Sequence, residues 1–150
     1  MHFGANRDLV EALQTAEVEF VVVGGLAVAW YCTEREADDM DLLLNPTSKN
    51  SARTARALSS LELGGFEAGS FARLGLQVPI KQRFYAEFLT PRAGEPNYAE
   101  VRASAQAAKL FGYPVFVASP AALIRMKQRA ASGSEASHQA DIALLRTHVV

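Results

Sequence analysis

The apolar positions fall into short runs of two different periods, and the alternation between them predicts a fold in which strands and helices are interleaved. Leu9, Val10, Leu13 and Ala16 recur at helical spacing, with Asn6 placed as a cap before them, so the chain is expected to open with an amphipathic helix. Glu19 to Val23 is β-branched and aromatic and predicts a buried strand. It stops at Gly24-Gly25, and Leu26 to Tyr31 then supplies one or two helical turns. Met40 to Leu44 predicts a second strand, ended by Asn45-Pro46, and Ser48 to Leu61 a helix. Four glycines, Gly64, Gly65, Gly69 and Gly75, loosen the middle of the chain before a strand at Phe84 to Leu89, with which Val78 to Ile80 can pair.

Tyr98 to Leu110 reads as helical, Tyr113 to Ala118 as a last short strand, and Ser119-Pro120 as the cap and first residue of a helix over Ala121 to Ala131. Ser132 to Ser137 breaks it, and a final helix from about Ser137 to His148 carries Ile142 and Leu145 on one face. The expected fold class is α/β, a mixed, twisted sheet of about four or five strands flanked by helices, with a site at one exposed edge of the sheet. No repeat, low-complexity tail or linker interrupts the pattern, and 150 residues read as one domain, 1–150.

Composition narrows the chemistry. Fifteen Lys plus Arg against 16 Asp plus Glu give a formal charge of -1, so the chain has no broad attraction for nucleic acid or an anionic membrane. A lone cysteine, Cys32, supports neither an internal disulfide nor a thiolate metal cage and fits a reducing cytoplasm, so any metal is expected on oxygen. Met1 to Leu13 lacks the pattern of a secretory signal, and the longest apolar run, Phe20 to Cys32, is too short to span a membrane.

The segment most informative about function is Gly24-Gly25 followed by Arg35-Glu36-Ala37-Asp38-Asp39-Met40-Asp41-Leu42. Glycines let a backbone approach phosphate, and the amides of a following helix face an anion with the helix dipole behind them. On a strand, Asp39 and Asp41 share one face while Met40 points into the core. Two such carboxylates suit Mg²⁺ or Mn²⁺, and two ions roughly 3.5–4 Å apart activate an attacking hydroxyl and stabilise a leaving pyrophosphate. Glu87 interrupts the apolar strand Phe84 to Leu89 on the face that carries Tyr85 and Leu89. It is either a third acidic ligand or a solvated residue of an edge strand.

The chain resembles the DNA polymerase β-like nucleotidyltransferase superfamily, in particular its small bacterial members: minimal nucleotidyltransferases and abortive-infection toxin-like relatives from toxin-antitoxin pairs. The resemblance rests on Phe20 to Ala27, Arg35 to Leu44, Ala86 to Thr90, Leu123 to Lys127 and Asp141-Ile142. It implies that Gly24 and Gly25 hold the triphosphate of an ATP-like nucleotide. It also implies that Asp39, Asp41 and Glu87 bind two Mg²⁺ or Mn²⁺ ions and act catalytically, that Arg35 and Lys127 contact the nucleotide, and that Asp141 supports them. Leu26 and Ala37 depart from the pattern, standing where hydroxyl-bearing residues are common.

Ordinary readings exist for several of these residues. Lys127 also suits a surface side chain laid along its helix, and Asp141 a first-turn acid favoured by the helix dipole. Asp38 reads as a loop residue or a partner for Arg35, Trp30 and Tyr31 as core packing, and the three histidines as unrelated to one another. The function implied is transfer of a nucleoside monophosphate from a triphosphate to a hydroxyl on RNA, protein or a small molecule, with release of pyrophosphate. A homodimer or partner chain is expected to complete the acceptor pocket. The alternative is a regulatory or antitoxin-like module that binds nucleotide without chemistry, although three acids converging with no cation would repel one another. A phosphoacceptor domain would carry its acids at the ends of different parallel strands and not on one, as at Asp39 and Asp41; a Walker-type site lacks its Gly-Lys-Ser or Gly-Lys-Thr and a dinucleotide site its third glycine.

Overall fold

A computed structural model describes residues 3–32, 39–80, 84–130 and 135–147, with the side chains of 3–5, 127–130 and 135–139 excepted. The described residues form six helices and six strands, in the order α1 (Phe3–Thr15), β1 (Phe20–Val23), α2 (Gly24–Tyr31), β2 (Met40–Leu44), α3 (Ser48–Ser60), β3 (Gln77–Ile80), β4 (Ala86–Leu89), α4 (Tyr98–Ser104), β5 (Gln106–Leu110), β6 (Tyr113–Val117), α5 (Pro120–Ala130) and α6 (Glu135–Arg146).

The strands form one mixed sheet in the order β3-β4-β2-β1-β6-β5. β1 and β2 run antiparallel, while β2 with β4 and β1 with β6 run parallel; β3 and β5 close the two sides as antiparallel neighbours of β4 and β6. Helix α1 packs on α3, and α2 packs on α5 and α6. All four residues of β1 are buried, and in β2 every residue except Asp41 is, which is the pattern of strands covered on both faces. Among the described residues no helix is long and apolar enough to cross a membrane.

Two buried asparagines tie the strands to the helices. Asn50 in α3 donates to the carbonyls of Glu19 (2.9 Å) and Asn45 (2.9 Å) and accepts from the Glu19 amide (2.7 Å), holding the start of β1 against the end of β2. Asn6 is not the cap that its place before the apolar repeat suggests. It lies inside α1, fully buried, and bonds both the carbonyl (3.1 Å) and the amide (2.9 Å) of Tyr85, 79 residues away.

The sheet has six strands where the sequence pattern suggests four or five, because Tyr98 to Leu110 is not one helix. An Asn97 capping box with Glu100 starts α4, which ends when Ala105 turns extended at ψ 150. Gln106 to Leu110 then pairs with β6 through a two-residue turn, Phe111-Gly112, both at positive φ (54° and 84°). That is the turn geometry whose twist matches a hairpin, and it overrides the helical preference of Gln-Ala-Ala-Lys-Leu.

The pairing of Val78 to Ile80 with β4 is as expected, and it makes β4 an interior strand, so the edge-strand reading of Glu87 does not hold. The C-terminal helix begins at Glu135, ahead of the expected Ser137, which puts Asp141 well past the first turn. Ile142 and Leu145 are buried in it as the spacing implies.

Candidate active site

The candidate residues gather at one rim of the sheet. β1 ends there at Val23, its parallel neighbour β6 ends there at Val117, and the antiparallel pairing brings the beginning of β2 to the same place. The site therefore lies at the ends of interior strands and not along an outer edge of the sheet.

Gly24 is the first residue of α2, directly after β1, and its φ of +66° is one that L side chains rarely adopt. A Cβ added there would lie 2.9 Å from both Cβ and Cγ of Asp41, and closer still to Oδ2. The sequence reading puts the helix start at Leu26; the structure makes the glycines themselves its opening turn. Glycine is thus required twice at position 24, by the backbone angle and by the carboxylate pressed against it. Gly25 follows inside α2, where the first amides of a helix have no intrahelical acceptor and are available to an anion.

Asp41 is the register partner of Val23 on one side and of Glu87 on the other. Partners on neighbouring strands project to the same face of a sheet, so Asp41 and Glu87 share a face, with Met40, Ala86, Leu42 and Phe88 buried on the opposite one. Asp39 sits immediately before β2, half-buried, on the Asp41 face by alternation. The half-buried Glu87 carboxylate accepts from Gln77 Nε2 at 2.9 Å. Asp39, Asp41 and Glu87 are thereby brought to one side of two adjacent strands. Among the described residues, no three His, Cys, Asp or Glu side chains stand close enough together to hold an ion in this arrangement.

Of the other expected participants, most fall outside the described groups and one is interior. Arg35, Ala37 and Asp38 lie outside the described residues. Lys127 falls in α5, with its side chain outside the described set. Asp141 is 2 % exposed within α6, so it is an interior carboxylate and not a solvated helix-start acid.

Tyr31 is partly buried as expected and donates its hydroxyl to the Ala118 carbonyl at 2.8 Å, tying the end of α2 to the end of β6; burial pushes its phenol pKa up. Trp30, expected in the core, is 50 % exposed. It borders an apolar cavity of ≈ 200 Å³ with Val22, Leu26, Ala29, Leu110 and Val117. Sequence reasoning also passed over Tyr85, which is 40 % exposed, and Gln77, the hydrogen-bond partner of Glu87.

No protein-family model and no curated protein sequence matches the chain. Its likeness to known proteins is one of structure. An antigenic nucleotidyltransferase-like protein from Paracoccidioides brasiliensis superimposes with a TM-score of 0.57 at 18 % identity, over 97 % of this chain and 76 % of that one. The aminoglycoside-complex structure of ANT(2″)-Ia with adenylyl-2″-tobramycin superimposes with a TM-score of 0.59 at 16 % identity, over 95 % of this chain and 86 % of that one. The chain has the nucleotidyltransferase fold. Within that fold, the Gly24 turn and the Asp39–Asp41 pair occupy the meeting point of β1, α2 and β2.

Proposed function

We propose that this chain is a metal-dependent nucleotidyltransferase that moves a nucleoside monophosphate from a triphosphate to an acceptor hydroxyl and releases pyrophosphate. The observation that carries the reading is the fit of Gly24 against Asp41, a left-handed glycine opening a helix in contact with a strand carboxylate. It sets a phosphate-binding turn and a cation-binding side chain side by side, and neither requirement of a bland turn would produce both.

The donor set fits a divalent cation. Carboxylates are the hard oxygen ligands that Mg²⁺ and Mn²⁺ prefer, and one oxygen of Asp41 is withdrawn from solvent. Asp39 and Asp41 would hold the ions, with Glu87 as the third ligand from the neighbouring strand. When bound, such ions supply charge neutralisation for the triphosphate and acidify the acceptor hydroxyl. The protein's own part is positional: the amides of Gly24 and Gly25 bind the departing phosphates with the α2 dipole behind them, and the rigid β1–β2 pairing keeps the carboxylates at a constant distance from that turn. Arg35 and Lys127 are assigned to the nucleotide, and Asp141 to supporting them.

The acceptor is RNA, protein or a small molecule, and the tobramycin adduct in one structural neighbour supports the small molecule. A second copy or a partner chain would complete the acceptor pocket. The toxin-like assignment and a bacterial, cytoplasmic setting belong to the same proposal.

The hydrogen bond from Gln77 to Glu87 favours a second reading, a module that binds nucleotide without turnover, because it engages an oxygen of the third carboxylate. Incubation with each labelled ribonucleoside triphosphate, Mg²⁺ or Mn²⁺, and bacterial RNA and protein separates the two. Label passing to an acceptor with the unmodified chain, and not with Asp39→Ala or Asp41→Ala, supports the transferase. Metal-dependent triphosphate binding without labelled product supports the module.

A further inference from the structure

Tyr85 stands out among the described residues as a large side chain left 40 % exposed on a backbone that is unusually well held. Its carbonyl accepts from the Met40 amide at 2.8 Å and from Asn6 Nδ2 at 3.1 Å, and its amide donates to Asn6 Oδ1 at 2.9 Å. Asn6 is fully buried in α1, so an interior polar side chain is committed to anchoring this one peptide. The bond from Met40 is the one that makes the first pair of the parallel β2–β4 ladder, Met40 with Ala86, so Tyr85 stands directly before the strand. Counted back one residue from Met40 and Ala86, the register matches Tyr85 with Asp39, each just before its strand, and alternation gives Tyr85 the face of Glu87 and Asp41.

Its position relative to the turn says what it would serve. Across the sheet the order is β1, with Gly24 directly after it, then β2 with Asp41 and with Asp39 just before it, then β4 with Tyr85 just before it. In an in-line displacement the attacking oxygen and the leaving pyrophosphate stand on opposite sides of the phosphorus. With the pyrophosphate at Gly24-Gly25, the acceptor arrives from the β4 side. The reaction forms a bond from the acceptor oxygen to the α-phosphorus, breaks the bond from that phosphorus to the bridging oxygen of the pyrophosphate, which leaves with the electron pair, and passes the hydroxyl proton to water.

We infer that Tyr85 is the acceptor-binding platform of this site, an aromatic face held rigid by Asn6 on which a ring of the acceptor, a sugar or a nucleobase, stacks beside Asp39. The inference rests on the nucleotidyltransferase reading and makes it more specific: the acceptor hydroxyl belongs to a ring-bearing small molecule or chain end and not to a protein side chain.

The test uses the full chain with Mg²⁺ and four probes: a non-hydrolysable ATP analogue, methyl α-glucoside, a short RNA with a free 3′ hydroxyl, and a serine-containing peptide. Binding of each is measured by saturation-transfer NMR and titration for the unmodified chain, Tyr85→Phe, Tyr85→Ala and Asp41→Asn. Stacking of a base on an aromatic ring corresponds to a loss of about 5- to 100-fold on removing the ring. The glucoside or the RNA should bind through its ring protons, keep its affinity in Tyr85→Phe and lose about that factor in Tyr85→Ala, with the ATP analogue little changed; which of the two binds distinguishes a sugar from a chain end. Failure of both to bind the unmodified chain, binding of the peptide alone, or equal loss of ring probe and ATP analogue in Tyr85→Ala would each overturn the assignment. The Asp41→Asn arm reads the underlying function separately: an ATP analogue that binds it as tightly as the unmodified chain refutes the nucleotidyltransferase reading whatever Tyr85 does.

Discussion

Replacing Gly24 by alanine tests the contact on which the candidate site is built. Two costs add. An L-residue held in left-handed backbone costs roughly 1–2 kcal/mol, and Gly24 has φ +66°. The new Cβ would also lie 2.9 Å from Cβ and Cγ of Asp41, a distance that real methyl groups do not keep, so β2 or the carboxylate must move; overpacking of this kind costs about 1–3 kcal/mol. The expected loss is therefore about 2–5 kcal/mol, a fall in melting temperature on the order of 4–20 °C for a domain of this size.

Urea and thermal unfolding of Gly24→Ala, with Gly64→Ala as control, measure it. A Cβ at Gly64 meets nothing within 4 Å and its φ is not positive, so that variant should match or slightly exceed the unmodified chain. The cause can be isolated with a double-mutant cycle. Asp41→Ala removes Cγ and Oδ2, so Gly24→Ala should cost less in its presence, by about 1 kcal/mol or more, while the cost from φ remains. A Gly24→Ala loss below about 1 kcal/mol would refute the argument, and strictly additive losses would show that the carboxylate is not what the methyl group meets.

Three further expectations follow from the geometry. Asp39→Asn and Asp41→Asn should each lower nucleotidyl transfer by at least about 100-fold, the scale of losing a group that stabilises charge in the transition state, with circular dichroism unchanged; equal turnover would remove these residues from the chemistry. Asn50→Ala should cost about 2–3 kcal/mol in urea unfolding because it deprives Glu19 and Asn45 of three hydrogen bonds that join β1 to β2. Tyr98 has its phenol pKa pushed up from 10.0 to about 12, first by burial and then by the charge of Glu19, against a smaller opposing effect of Arg102. A raised folded pKa means that the unfolded chain ionises first, so this side chain's contribution is intact below about pH 10 and lost as pH rises through about 12. Tyr98→Phe should flatten the decline of the urea midpoint across that interval.

Much of this architecture was legible because the strands around the site are extreme in composition. Phe20-Val21-Val22-Val23 followed by two glycines can scarcely be read otherwise, and one acid among Met40, Leu42, Leu43 and Leu44 marks the chemistry against an apolar background. What stayed hidden depends on distant partners. Gln106 to Leu110 prefers helix locally and becomes a strand only because Phe111-Gly112 folds it onto β6; a glycine directly before the alternating run Tyr113 to Val117 was the available signal. Asn6 looks like a cap until Tyr85 is known to lie against it, and nothing near Asn6 announces a partner 79 residues on. Trp30 belongs to a segment apolar on every side, so no periodicity marked which of its residues would face outward.

The register that places the carboxylates is the same one that builds the core, which is why two distant acids can be read as a site. Val23, Asp41, Glu87 and Pro79 form one row across four strands. A slip of one residue in β2 would turn Asp41 into the fully buried face now filled by Met40, Leu42 and Leu44 and move those side chains to the face of Asp41 and Leu43; the same slip in β4 would bury Glu87 in place of Ala86 and Phe88. Burying an unpaired carboxylate costs several kcal/mol, a large part of the stability of a single domain. Apolar residues that never touch a substrate therefore hold Asp39 and Asp41 against the Gly24 turn. Sequences sharing the apolar face of β2 and β4 would keep that geometry even where the residues around the acceptor change.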